Sequence, residues 1–287
     1  MRHLFAFAFL ALFGLCQAQT EVRTSSFAFA AGVQPTFSVQ FKSADARTVE
    51  AWFKDHLKDI SAEVSSKKDL VAIGTRLPEV STDTIRVYVK ADQPKKSPDV
   101  TLHVAFKVGG AFVGPDSEAR QVEGCRAWMY QQAVMLKKTL AQRELDAGTK
   151  QLGRLEDELA MLVRENERAQ KSIEKTQQNI TDDEKAKADT EGELGNMLTK
   201  LDSKKQDVAN APSEENTKQL QALMKEQEKL QRKSEKLTKD ITSGTRKIED
   251  LRFEIKKNLA DQDAKAKAIE AQKIVVESLR QKLANVN

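Results

Sequence analysis

Apolar and polar positions alternate with two different periods along this chain, and the change falls near Pro115. Before it, Phe37, Val39 and Phe41 alternate with polar residues, as do Ile85, Val87 and Val89, and then Val100, Leu102, Val104, Phe106 and Val108. A period of two predicts strands that bury one face. Residues 62–65 and 70–73 are shorter strand candidates. Residues 46–60 break the rule, with helical spacing at Val49, Phe53, Leu57 and Ile60, Trp52 beside the stripe, and Ser43 or Asp45 placed to cap the start. Strand, helix, several strands and a further helix predict an α+β head over residues 19–115, a curved antiparallel sheet packed on two helices. A segment of about 100 residues is long enough to bury its own core. Pro78, Pro94 and Pro98 fall between the strands, where a missing amide donor costs little.

From residue 116 to 287 the pattern is helical. A sheet-packing helix over about 116–140 carries the stripe Val122, Cys125, Met129, Ala133 and Leu136. Beyond it, apolar residues recur in steps of three and four: Leu145, Leu152, Leu155, Leu159, Leu162, Ala169, Ile173, Ile180, Leu194, Met197, Leu201 and Val208. A second frame starts at Leu220 and runs through Leu230, Ile241, Ile248, Ile255, Ile269, Val276 and Leu283. These are heptad seams, narrow stripes on otherwise charged helices, and they predict coiled coil. Polar residues interrupt the first seam at Asn166, Asp183, Lys187 and Lys204 and the second at Gln227, Gly244, Asn258 and Lys265. Residues 179–195 carry a capping-box pattern, Thr181 to Glu184, and two glycines, which predicts a loosened section of the arm or a second helix boundary.

Between the two frames lies Pro212, which stands alone after Pro115. Proline inside a helix loses a hydrogen bond and clashes with the preceding turn, at about 3 kcal/mol, but is tolerated at the start of a new helix. Glu214 and Glu215 follow and suit the positive end of a helix dipole, while Asn210 is a turn or capping residue. A hairpin turn at about 209–213 is therefore expected. The second arm, at 1.5 Å per residue, is about 110 Å long and laid antiparallel reaches back to about Val134. Matching arms predict a monomeric antiparallel coiled-coil hairpin, with a parallel coiled-coil dimer as the alternative.

The first 18 residues read as a secretory signal peptide: Arg2 and His3, an apolar run from Leu4 to Leu15, then Cys16-Gln17-Ala18 before the cut. The run is too short to span a bilayer. Export to a periplasmic or extracellular space and a protein without a transmembrane span are expected. Cleavage leaves Cys125 as the single thiol, read as a small core residue, with an intermolecular disulfide as the sharper alternative.

Charge is plentiful but interleaved. From Asp116 onward there are 33 Lys or Arg against 32 Asp or Glu, whereas a nucleic-acid binder clusters one sign. No nucleic acid is expected as partner. His56 and His103 lack the spacing of a zinc site, Gly109-Gly110-Ala111 lacks the rest of a phosphate loop, and no nucleophile motif occurs. No enzyme activity, metal or cofactor is expected.

The segments GVQPTFSVQF (32–41), VEAWFKDHLKD (49–59) and VAFKVGGAF (104–112), followed by a long charged coiled coil, resemble a group of uncharacterised secreted proteins of Bacteroidota. Pro35 departs from the polar residue expected there. The resemblance implies an architecture and an exported address, with no catalytic residues to carry over.

The function expected is that of a structural or protein-interaction protein, its head a docking module and its hairpin a spacer. The alternatives are an apolar-ligand-binding head and a periplasmic holdase chaperone. A protein partner in the cell envelope is expected to meet the hairpin tip at Asn210, Pro212, Glu214 and Glu215.

Overall fold

A computed structural model describes residues 20–287. The signal-peptide segment, residues 1–18, lies outside the described residues. The chain falls into two compact units, the first ending at Lys150 but rejoined by Ile274–Asn287, the second running Gln151–Lys273.

The first unit holds an antiparallel sheet in the order β1-β2-β6-β5-β4-β3, with β7 paired to β6. In chain order its elements are β1 (Arg23–Phe29), β2 (Gly32–Phe41), α1 (Ala46–Ile60), β3 (Glu63–Ser66), β4 (Leu70–Thr75), β5 (Ile85–Asp92), β6 (Val100–Val108) and β7 (Ala111–Phe112). The long helix α2 (Ala119–Asn210) begins here, and α3 (Glu214–Ala284) ends here. Asp45 caps α1, its carboxylate accepting from the Thr48 amide at 2.8 Å, and hydrogen bonding with the Thr48 side chain first and that amide second holds its carboxyl below the usual range.

One face of the sheet is dry. Val39 and Phe41 of β2, Val87 and Val89 of β5, and Leu102, Val104 and Phe106 of β6 pack with Val49, Phe53 and Leu57 of α1 and with Cys125, Trp128, Met129 and Leu136 of α2. Edge-to-face rings run Phe37 to Phe106 (5.8 Å), Phe106 to Trp128 (5.6 Å) and Trp128 to Phe53 (6.3 Å), so four elements share one aromatic chain. Gly124 lets α2 settle against the loop after β4: a Cβ there stands 2.1 Å from the carbonyl oxygen of Glu79.

The other face is covered by its own edge. β2 pairs with β6 from Phe41↔Val100 to Phe37↔Val104, and the pairing stops there. The rest of β2 continues with β1 alone, Thr36↔Ser25 to Gly32↔Phe29. This free length of hairpin folds over the sheet, stacking Phe27 on His103 of β6 at 4.3 Å and bringing Phe29 to Tyr88 of β5 at 6.0 Å. Its turn is tied across the sheet by the Ala30 amide, which donates to the Asp69 carboxylate at 2.6 Å. Pro35 lies in the stretch that has left β6, so its missing N–H breaks no bond on that side. Strand β1 has no counterpart in the sequence expectation, because only Phe27 and Phe29 mark it and they face this second, smaller core.

The start of α2 and the end of α3 meet within the first unit. Val276 is buried, the Lys282 ammonium lies 2.5 Å from Glu144, and the Thr20 hydroxyl donates to the backbone carbonyl of Asn287 at 2.9 Å. Lys137 donates to the same hydroxyl at 2.9 Å, and burial holds its ammonium below the usual range, with Lys42 adding to the effect.

The second unit is an antiparallel helical hairpin. Lys265 of α3 lies 2.5 Å from Glu158 of α2, Gly244 lies against Ile180, and Lys204 donates to Asn216 at 3.0 Å. Residue numbers rise on one arm as they fall on the other. Met197, Leu201, Ile248 and Ile269 are buried in the seam. Gly244 is a fitted position: a Cβ there stands 2.9 Å from Cγ1 of Ile180. The buried Thr176 and Thr190 return their hydroxyls to the carbonyls of Ser172 and Ala186, both at 2.7 Å, so neither leaves a polar group unpaired. Residues 179–195 stay helical throughout, and Thr181, the first residue of the capping-box pattern, bonds back to the Gln177 carbonyl at 3.1 Å. The second helix boundary considered there is absent. Packing along a long seam outweighs the weak propensity of two glycines.

Candidate functional site

The turn between α2 and α3 comprises residues 211–213. Asn210 closes α2, and the Ala211 amide still reaches the Asp207 carbonyl at 2.8 Å. Ser213 is the N-cap of α3, its hydroxyl accepting from the Asn216 amide at 3.1 Å. Pro212 therefore stands just before the cap and outside the first helical turn, where its lack of an N–H leaves every helical bond of α3 intact. Asn216 organises the turn. Its side-chain amide donates to the Ala211 carbonyl at 2.9 Å, while its oxygen accepts from Lys204 on the opposite arm. Asn210, Pro212, Glu214 and Glu215 are all exposed, and Glu214 pairs with Lys218 at 2.7 Å. The four residues expected at the tip are thus together on one exposed, hydrogen-bonded turn. Sequence reasoning missed Asn216; the spacing Ser213-x-x-Asn216 was the available signal, since it mirrors a capping box.

Cys125 has no exposed surface. It lies among the core residues under the sheet, and burial pushes its thiol up to about 12. An intermolecular disulfide needs a sulfur that a second chain can reach, and this one is enclosed. With a pKa of about 12, roughly one thiol in 10⁴ is ionised near pH 8 before enclosure is counted. We expect an aromatic disulfide reagent to leave Cys125 unmodified for hours in the native protein and to react within minutes in denaturant. Fast native labelling would show that α2 lifts from the sheet.

The histidines sit on opposite faces. His56 of α1 stacks on Trp52 at 5.4 Å beside the main core, and His103 faces the folded-over hairpin. Burial holds both imidazoles below their ordinary range, with Asp59 and Asp92 respectively working against it. Among the described residues no three His, Cys, Asp or Glu side chains gather as metal ligands, and no described helix is long and apolar enough to cross a membrane.

Phe37, Phe41, Phe53 and Phe106 are fully buried against each other and their neighbours in the core of the first unit. In the second unit, two open grooves follow the paired helices, one lined by Leu159, Ile269 and Lys273 and the other by Met161, Ala264 and Ala268. Their walls combine apolar residues with both signs of charge. No protein-family model matches the chain, and no curated protein matches it.

Proposed function

We propose that this chain is an exported structural or protein-interaction protein, in which the α+β unit is a docking module, the hairpin tip meets a protein partner and the helical arms serve as spacer. The observation that carries the reading is the tip. A turn built only to reverse the chain needs a cap and a break; this one adds a cross-arm anchor, with Asn216 held by Lys204 and holding Ala211. It orders the turn on and beside which Asn210, Pro212, Glu214 and Glu215 are exposed. A rigid, exposed turn loses little conformational freedom when a partner binds, which favours recognition there. The acidic pair and the proline suit a partner surface with basic groups around a shallow apolar contact. The signal-like residues 1–18 and the resemblance to secreted Bacteroidota proteins support an exported address.

A photo-crosslinking residue at Glu215, compared with one at the mid-arm position Lys247, tests this in the cells that make the protein. The proposal expects one dominant adduct from Glu215, lost when Asn216 is changed to Ala, and none from Lys247. Equal adducts from both positions, or none from Glu215 and from exposed positions of the α+β unit, would remove the docking role.

A further inference from the structure

The β1–β2 hairpin crosses its own sheet and is held there by few contacts. Phe27 lies on the ring of His103, Phe29 meets Tyr88, and the Ala30 amide meets the Asp69 carboxylate. Thr36 on the hairpin's inner side and Ala105 of β6 are both fully enclosed, and beneath the hairpin lie the rings of Tyr88 and Phe112, 5.4 Å apart. The backbone pairing that locks the base of the hairpin to β6 ends at Phe37. Its distal half therefore depends on side-chain packing.

His103 is the weak point in that packing. Its Nδ1 is buried and has no hydrogen-bond partner among the described residues. A neutral ring can leave a lone pair there at modest cost. A charged ring places an N–H at Nδ1 with neither water nor an acceptor to receive it. The neighbours do not rescue it. On β5, Lys90 is paired directly across from His103 and Asp92 lies two residues on. Lys90 is partly engaged by Glu50 of α1 at 3.4 Å and by the Lys68 carbonyl at 3.3 Å. On β2 the facing residue is the neutral Ser38, and beyond it in the same row of β1 is Arg23, already paired with Glu21. Along β6 the nearest cation on the same face is Lys107, which lies over Phe112. On protonation the row holds Arg23, His103 and Lys90; Glu21 and Glu50 are engaged with the outer two cations, which leaves Asp92 as the carboxylate acting on the imidazolium. An imidazolium is attracted to a ring face, but here the ring already excludes water from the nitrogen that must carry the proton.

We propose that the distal β1–β2 hairpin is an acid-released flap: protonation of His103 dislodges Phe27, draws Phe29 off Tyr88 and uncovers the aromatic face formed by Tyr88 and Phe112. The sign follows from the direction of the shift. Burial depresses the imidazole below 6.5 in the folded, stacked form. The stack is therefore intact above that value and is lost as pH falls through it toward the depressed value. The base of the hairpin, Arg23 and Thr24, stays paired with Ser38 and Phe37 on the part of β2 that remains on β6, so the flap opens without unfolding the sheet.

Hydrogen exchange of the full-length protein tests this, with protection factors corrected for the intrinsic pH dependence of exchange. Between about pH 7.5 and pH 5, protection of the amides of Phe27 to Phe29 is expected to fall by up to about tenfold per unit of pH below the midpoint, the limit for uptake of one proton. Protection in β5 and β6 should hold. In His103→Phe, which keeps a stacked ring without a titrating nitrogen, the loss should vanish. The wild-type protein supplies an independent readout: the midpoint for the β1 amides should coincide with the imidazole titration of His103 followed by NMR. Unchanged protection at acid pH, a loss that persists in His103→Phe, midpoints that differ by more than about one unit, or loss across β5 and β6 at the same pH would each overturn the proposal.

Discussion

Replacing Phe53 with alanine is expected to lower the stability of the first unit by about 3–5 kcal/mol. Phe53 has no exposed surface and is the α1 member of the aromatic chain that passes through Trp128 and Phe106 to Phe37. Truncation removes its transfer energy and leaves a cavity that the neighbouring rings cannot close, because each is held edge-on by the next. The readout is direct. Trp52 and Trp128, the two tryptophans of the sequence, both touch Phe53, so tryptophan fluorescence reports unfolding of this unit. A drop in midpoint on the order of 10 °C is expected. Phe253→Ala, at a phenylalanine that is 72% exposed on α3, should change stability by no more than about 0.5 kcal/mol. Similar effects from the two substitutions would mean that α1 is not packed as described.

Two glycines should respond to alanine with opposite signs. Helix propensity favours alanine by about 1 kcal/mol at either site. At Gly153 of α2 nothing lies within 4 Å of an added Cβ, so the propensity gain should appear as increased stability of the second unit by circular dichroism. At Gly124 the added carbon stands 2.1 Å from the Glu79 carbonyl oxygen and 2.7 Å from its carbon. Backbone cannot rotate away as a side chain can, so α2 or the loop must move. A net loss of about 2–3 kcal/mol is expected for Gly124→Ala, at the upper end of overpacking costs. Tryptophan fluorescence measures it. A neutral or stabilising Gly124→Ala would contradict the close approach of α2 to that loop.

The alternation of Val87, Val89, Leu102, Val104 and Phe106 made β5 and β6 legible, because a strand with one dry face repeats every second residue. The spacing of Val49, Phe53 and Leu57 did the same for α1. The seams of α2 and α3 and the reversal near Pro212 could also be read, since a heptad and a misplaced proline are local signals. What escaped was set by distant contacts. Whether residues 179–195 break is decided by the arm packed against them. The part played by Asn216 depends on Lys204 twelve residues earlier, across the turn. Strand β1 is short in apolar residues because it serves a small second core, and that core exists only once β2 has parted from β6. Of the candidate site, the sequence indicated its exposed residues but not the hydrogen bonds that hold them.

The central claim is that α2 and α3 pair within one chain. Zero-length carbodiimide coupling tests it most directly, because Glu158–Lys265 and Glu144–Lys282 each stand at 2.5 Å. Unlabelled and ¹⁵N-labelled protein would be unfolded together, refolded, coupled and digested. The account predicts both crosslinks, each joining two unlabelled or two labelled peptides. Crosslinks that join an unlabelled to a labelled peptide in about half of the products, the share expected for random pairing of chains, would place the two helices of each pair in different molecules and contradict the hairpin.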